Sequence, residues 1–191
     1  MRVSGFASET DLPYAGVDLV LAEFPDEVAM LPPRLQHALS AATGRLPSAP
    51  PTAADDRVTE GPDRFQVGLA LLSVLGHVAE PVAVLIDDAH LIDEASLGTL
   101  AFVSRRVAAE PVLVVFATRP EPHVLEALAG IEVMDLGGLD TASARELLDA
   151  SRETALDAHL AVRVVEQLGG HPLAIAELAA REDLERLSGK R

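Results

Sequence analysis

The sequence contains no cysteine and no tryptophan, and aromatic residues make up only 3% of it. Without cysteine there is no disulfide framework, no thiolate metal ligand and no thiol nucleophile. With so few rings the core has to be built from Leu, Val, Ile and Ala. Lysine is almost missing as well. Of the fifteen basic residues only Lys190 is a lysine, one position from the last residue, so chemistry that needs a buried lysine is close to excluded. No uninterrupted apolar stretch reaches the length that crosses a bilayer, and Met1-Arg2-Val3-Ser4-Gly5 has no signal-peptide pattern. A soluble cytoplasmic protein is the expectation from these absences.

What is present is a globular composition, with 49% hydrophobic residues in 191, and a formal net charge of −15. That length suits one α/β domain with a small helical appendage. The negative balance disfavours nucleic acid, whose phosphates need a basic surface. Arg105-Arg106 is the one basic pair of note, and it reads as a solvated helix face.

Along the chain, residues 2–7 read as a short strand. Leu12 to Phe24 has helical spacing with Pro13 in the first turn, and Pro32-Pro33 opens another helix. Residues 43–63, with Pro47, Pro50, Pro51 and Pro62, read as a loop. Asp63 caps an apolar helix from Phe65 to Ala79. Val82 to Ile86, ending in Asp87-Asp88, reads as a parallel strand buried on both faces, and Val112 to Ala117, ending in Thr118-Arg119-Pro120, as a second. Asp93 caps the helix between them. Residues 131–136 alternate like a third, half-exposed strand that ends at Gly137-Gly138. From Thr141 on the pattern is helical: 141–150, then Leu156 to Leu168, then from Pro172 to about Leu187, with a charged tail after Arg181. Strands alternating with helices argue for a parallel, doubly wound sheet, and the trailing helices for a small lid.

Asp87 and Asp88 stand at the end of a strand, where open α/β sheets bind ligands. Adjacent carboxylates repel and favour a cation such as Mg²⁺, with one acid holding the metal or its waters and the other orienting an attacking water. A loop or helix cap would use the same residues. Arg119 could reach a terminal phosphate, or simply pair with Asp87 or Asp88. Gly169-Gly170 and Pro172 are ordinary stop and start residues for helices. The histidines have no metal-ligand spacing, and His90, near the acidic pair, reads as a solvated neighbour.

Taken in order, Val82 to Asp88 with Ala89-His90-Leu91-Ile92-Asp93, Val112 to Arg119, and Gly170-His171-Pro172 resemble the STAND class of signalling P-loop ATPases. The set is most similar to the ATPase region of large LuxR-type transcriptional regulators. The segments Asp11 to Gly16 and Pro62 to Ala70 are similar to that region too. The likeness runs from about Arg2 to Glu182, with Leu91 where the family often has Trp and His171 where it often has Asn. It implies an incomplete doubly wound sheet of the P-loop (AAA/STAND) type over residues 1–138 and a helical lid over 139–191. It also implies ATP and Mg²⁺ as ligands. Asp87 would be the Mg²⁺-associated acid of Walker B and Asp88 the residue that polarises water. Arg119 would be the sensor arginine, and Gly170 and Pro172 the adenine-contacting turn of the lid.

One element of the family is missing. No Gly-x-x-x-x-Gly-Lys-[Ser/Thr] occurs, since Lys190 has Leu184 and Arg191 where that loop needs Gly and Ser or Thr. Charge-assisted hydrogen bonds contribute about 1.5–3 kcal/mol each. Losing three of them weakens a micromolar site by about three orders of magnitude or more, so ATP binding is expected to be millimolar or absent. By the resemblance, the missing first strand would lie between 112–117 and 131–136. Its loss leaves open apolar edges, so self-association or pairing with another chain is expected. Nothing after Glu182 suits a helix-turn-helix, so no direct DNA contact is expected. The competing expectation is a non-catalytic scaffold that pairs with a full-length relative. A receiver-like phosphoacceptor, which by resemblance needs a lysine on a late strand, is disfavoured by the position of Lys190.

Overall fold

The computed structural model describes residues 1–44, 62–151 and 158–180. They form two compact units, Met1–Glu132 and Val133–Arg191. The sequence reading had placed the boundary after Gly138.

The first unit is built on a three-stranded parallel sheet in the order β1 (Arg2–Ser4), β2 (Val82–Asp87), β3 (Val112–Phe116). Runs of valine and isoleucine favour extended backbone because their branched side chains are restricted at χ1. The register pairs Val3 with Ile86 and Ile86 with Phe116, and Arg2 with Leu85 and Leu85 with Val115. Between β1 and β2 the chain forms α1 (Ala15–Leu21), α2 (Pro25–Met30), α3 (Pro33–Thr43) and α4 (Arg64–His77). Between β2 and β3 it forms α5 (Glu94–Ser104), and α6 (Pro122–Ala127) follows β3. The core gathers Val3, Val84 and Ile86 of the sheet with Val17 and Val20 of α1, Leu71 and Val74 of α4, and Leu97 and Leu100 of α5.

Several expectations need correction. Leu12–Phe24 is not one helix. It breaks after Leu21 because Pro25, which cannot donate a backbone hydrogen bond, opens a separate helix at its first position. Pro13 therefore lies outside the first turn. One face of β2 is buried and the matching face of β3 half-buried, while the other face of both is exposed. Val84 and Ile86 point into the helices, whereas Ala83, Leu85, Leu113 and Val115 are exposed, Leu113 by 59%. A doubly wound sheet has helices on both faces, but among the described residues this one is covered on a single face. Residues 131–136 form no strand, and Val133, Met134 and Leu136 are exposed, Leu136 by 90%. A strand exists only where a neighbour takes its backbone hydrogen bonds, and among the described residues this segment has none. Of the expected loop over 43–63, residues 45–61 lie outside the described residues, as does the chain beyond Ala180, while Thr43 ends α3 and Asp63 caps α4.

One buried carboxylate holds the N-terminal ends of two helices. Asp93, 3% exposed, caps α5 by accepting from the Ser96 amide at 2.8 Å. It also accepts from the amides of Tyr14 at 2.8 Å and Gly16 at 3.2 Å, at the start of α1. The Ser96 hydroxyl accepts from the Val17 amide at 2.9 Å. The first amides of a helix have no partner inside it, and here a single D-x-x-S segment serves both helices. The approach is close: a Cβ on Gly16 would stand 3.1 Å from Ile92 and Ser96 side-chain carbons. Tyr14 takes the left-handed conformation, φ 65°, to enter this turn. Burial pushes its phenol above the ordinary tyrosine value, with Arg64 opposing.

The second unit packs α7 (Thr141–Ala150), α8 (Ala158–Gln167) and α9 (Pro172–Ala179) around Ala144, Leu148, Val164, Val165 and Ile175.

Replacing Asp93 strips partners from three buried amides. Asp93→Ala is expected to cost the first unit about 3–5 kcal/mol, and Asp93→Asn clearly less, because one acceptor oxygen remains. Urea unfolding followed by circular dichroism checks the order. Equal losses in the two variants would mean that the hydrogen bonds are not what the carboxylate contributes.

Candidate functional site

The expected site residues fall into two groups, one in each unit. Asp87, Asp88 and Arg119 belong to the first unit, and Gly170 and Pro172 to the second.

At the carboxyl end of the sheet, β2 is held between its two neighbours. The Gly5 amide donates to the Asp87 carbonyl at 2.9 Å, the Ala117 amide to the Ile86 carbonyl at 2.8 Å, and the Ala89 amide to the Ala117 carbonyl at 2.9 Å. Between these ties the chain reverses at Asp88, which has φ 48° and ψ 47°. A left-handed conformation in a residue other than glycine is uncommon, although Asp tolerates it better than most. Gly5 permits the turn, because a Cβ there would meet the Asp88 carbonyl oxygen at 2.5 Å. The Asp88 carboxylate is exposed, and its amide donates to Asp87 Oδ1 at 3.1 Å.

Asp87 is occupied by Arg2, whose Nη2 forms an ion pair and hydrogen bond with Asp87 Oδ2. The register explains the pair. Arg2 lies beside Leu85 on the bare face, and Asp87 is two residues further along β2 on that same face, a diagonal neighbour within reach of a long side chain. The Arg2 hydrogen bond holds the Asp87 carboxyl below the usual carboxylate range, and the Asp88 amide adds to this. Arg119 is exposed and forms no ion pair with either aspartate. The bland expectation, an arginine neutralising the pair, is thus met from β1 rather than from the segment after β3. Sequence reasoning missed Arg2 because the signal for it lies in the β1–β2 register.

His90, expected to be a solvated neighbour, is buried, at 8% exposure, and its Nδ1 has no hydrogen-bond partner among the described residues. The short turn Ala89–Leu91 folds it inward as the chain passes from the strand end to the Asp93 cap. Among the described residues no group of three or more His, Asp or Glu is placed to hold a metal ion. A hollow of about 410 Å³ lies between Pro13, Tyr14, Ala42, Pro62, Arg64 and Ala95, and none of the expected site residues lines it.

In the second unit, Gly169 and Gly170 have φ 57° and 72° and end α8. The His171 ring caps α9 by accepting from the Ala174 amide at 3.3 Å, and Pro172 occupies the first turn. The glycines also admit another strand of backbone. The Leu139 amide donates to the Gly170 carbonyl at 2.8 Å. A Cβ on Gly170 would lie 2.2 Å from the Leu139 oxygen, and one on Gly138 would lie 2.1 Å from the Gly169 oxygen. The Gly-His-Pro turn therefore has a full structural role in joining Gly138-Leu139 to the turn between α8 and α9.

A divalent cation at the acidic pair would meet one carboxylate held by a guanidinium and one exposed carboxylate with no third ligand. The donor set does not fit Mg²⁺ while Arg2 is in place. No model of a known protein family matches the chain, and no curated protein matches it either.

The Arg2 pair has a pH signature. The folded Asp87 value lies below the unfolded one, so the contribution of the pair is complete above about pH 4 and is lost as the pH falls through the folded value. In a carboxyl-detected NMR titration, Asp87 is expected to titrate below the ordinary range and to move up toward it in Arg2→Ala. An unchanged Asp87 titration in that variant would remove Arg2 as the cause.

Proposed function

We propose that this chain is the ATPase-core module of a STAND-type signalling regulator, similar to the ATPase region of LuxR-type transcriptional regulators, and that alone it binds ATP weakly or not at all. The observation that carries this reading is the acidic pair at the carboxyl end of the central strand of a parallel sheet. This is the position at which open α/β sheets present ligand-binding residues. By the resemblance Asp87 and Asp88 stand where that family has its metal-associated and water-orienting acids, roles that the Arg2–Asp87 pair blocks in this chain; Arg119 is the residue for phosphate, and Gly170 and Pro172 for the base. The absence of a phosphate loop in the sequence and the Arg2–Asp87 pair both argue against turnover by this chain. The proposed setting is the cytoplasm, with no direct contact between this chain and DNA.

A second reading, a non-catalytic scaffold, is favoured by the exposed row of Leu85, Leu113 and Val115. On that reading the sheet serves to bind another protein chain.

Titration of the purified protein with a fluorescent ATP analogue, with and without Mg²⁺ and beside Asp87→Ala, separates the two from an active enzyme. No saturation at millimolar ligand is expected. Micromolar, Mg²⁺-dependent binding that disappears in the variant would show that other residues hold the phosphates and would overturn the weak-binding part of the proposal.

A further inference from the structure

The oxygens that a hard cation would use at the carboxyl end of the sheet already accept hydrogen bonds. The carbonyls of Ile86, Asp87 and Ala117 accept from the Ala117, Gly5 and Ala89 amides, and the Asp88 carbonyl accepts from the Leu91 amide at 2.7 Å. Of the Asp87 carboxylate, Oδ1 accepts from the Asp88 amide and Oδ2 from Arg2. Of the acidic pair, that leaves the Asp88 carboxylate, which is exposed. Mg²⁺ gives up its waters reluctantly and is bound through one or two carboxylates together with phosphate oxygens. One exposed carboxylate does not make such a site.

The fold itself puts Arg2 there. Backbone bonds hold β1 at both ends: the Leu85 amide donates to the Met1 carbonyl at 3.1 Å, and the Gly5 amide to the Asp87 carbonyl at 2.9 Å. A slip of one residue would carry Arg2 to the helix-covered face, where an unpaired charge is costly. The register that buries Val3 therefore also sets Arg2 diagonal to Asp87. The pair is open to water, with side-chain exposures of 68% and 36%, so it adds little to stability. What it changes is the local charge, because a guanidinium stays protonated at any working pH.

We propose that Arg2 is the resident cation of this strand end, in the place of a divalent ion, and that the protein neither binds Mg²⁺ there nor depends on it. The inference rests on the STAND-type reading only for the expectation of a metal, and bound nucleotide has no part in it. One positive charge at about 5 Å from a divalent ion lowers its affinity about tenfold even in water.

Titration of the isotope-labelled full chain with Mn²⁺ at about 0.15 M salt, followed by paramagnetic broadening of its amide signals, tests this. In the wild type the amides of Asp87, Asp88 and Ala89 are expected to broaden no earlier than those beside exposed acids elsewhere, such as Glu146 and Asp149. In Arg2→Gln they should broaden at about a tenfold lower Mn²⁺ concentration. Arg2→Lys, which keeps the charge, should behave as the wild type. Strand-end amides that broaden first in the wild type overturn the proposal. So does an Arg2→Gln no different from the wild type, or an Arg2→Lys that behaves as Arg2→Gln. The metal is offered alone here, so this result and the ATP titration can fail separately.

Discussion

The first unit depends on the carboxylate of Asp93 more than on any other single group. Two helices from distant parts of the sequence, α1 and α5, begin at the same point, and each brings amides that have no partner inside the helix. Left unpaired in the interior, those amides would each cost about 1–3 kcal/mol. Asp93 and Ser96 accept from them, and the positive ends of two helix dipoles make the position favourable for a negative charge. Fixing these two ends fixes the rest: α1 leads away from β1, α5 follows β2, and the valines and leucines of both helices then lie over the same face of the sheet. The close contact at Gly16 and the left-handed Tyr14 follow from bringing the chain near enough for the hydrogen bonds to form.

A sheet covered on one face has a consequence for its edge. The side chains of β2 and β3 alternate between the helix layer and water, yet the water side is as apolar as the buried one, with Ala83, Leu85, Leu113 and Val115 exposed. In an ordinary half-exposed strand, polar residues take the outer positions. An apolar outer face beside an unguarded edge makes solvent a poor partner for both. The same physics accounts for residues 131–136, whose alternating pattern had suggested a strand. A pattern supplies one face for packing but cannot supply the neighbouring backbone.

This is where the sequence was readable and where it was not. The runs Val82–Ile86 and Val112–Phe116 identify themselves as strands, because few other environments suit five consecutive β-branched and aliphatic residues. Such a run does not say whether both faces are covered, and the expectation of burial on both was wrong. Asp63, Asp93 and Asp140 are legible as caps, since the donating amides lie two or three residues along. That Asp93 also serves Tyr14 and Gly16 is not legible, because those amides come from a helix nearly eighty residues earlier. The break after Leu21 was in reach, as Pro25 marks it. The end of β2 as the place for Asp87 and Asp88 was read correctly. Their partner was not, since local pattern carries no information about which residue of β1 lies diagonal to Asp87.

Arg2 has two effects that pull against each other. By binding Asp87 across the pair of strands it neutralises one of two adjacent carboxylates and gives the three-residue β1 a side-chain tie besides its backbone bonds. The same contact places a cation where a metal would have to stand. The repulsion between Asp87 and Asp88, which in the sequence argued for a bound cation, is relieved by the protein itself. An acidic pair at a strand end therefore has two physical solutions, an external ion or an internal guanidinium, and in this fold the register of β1 against β2 selects the second.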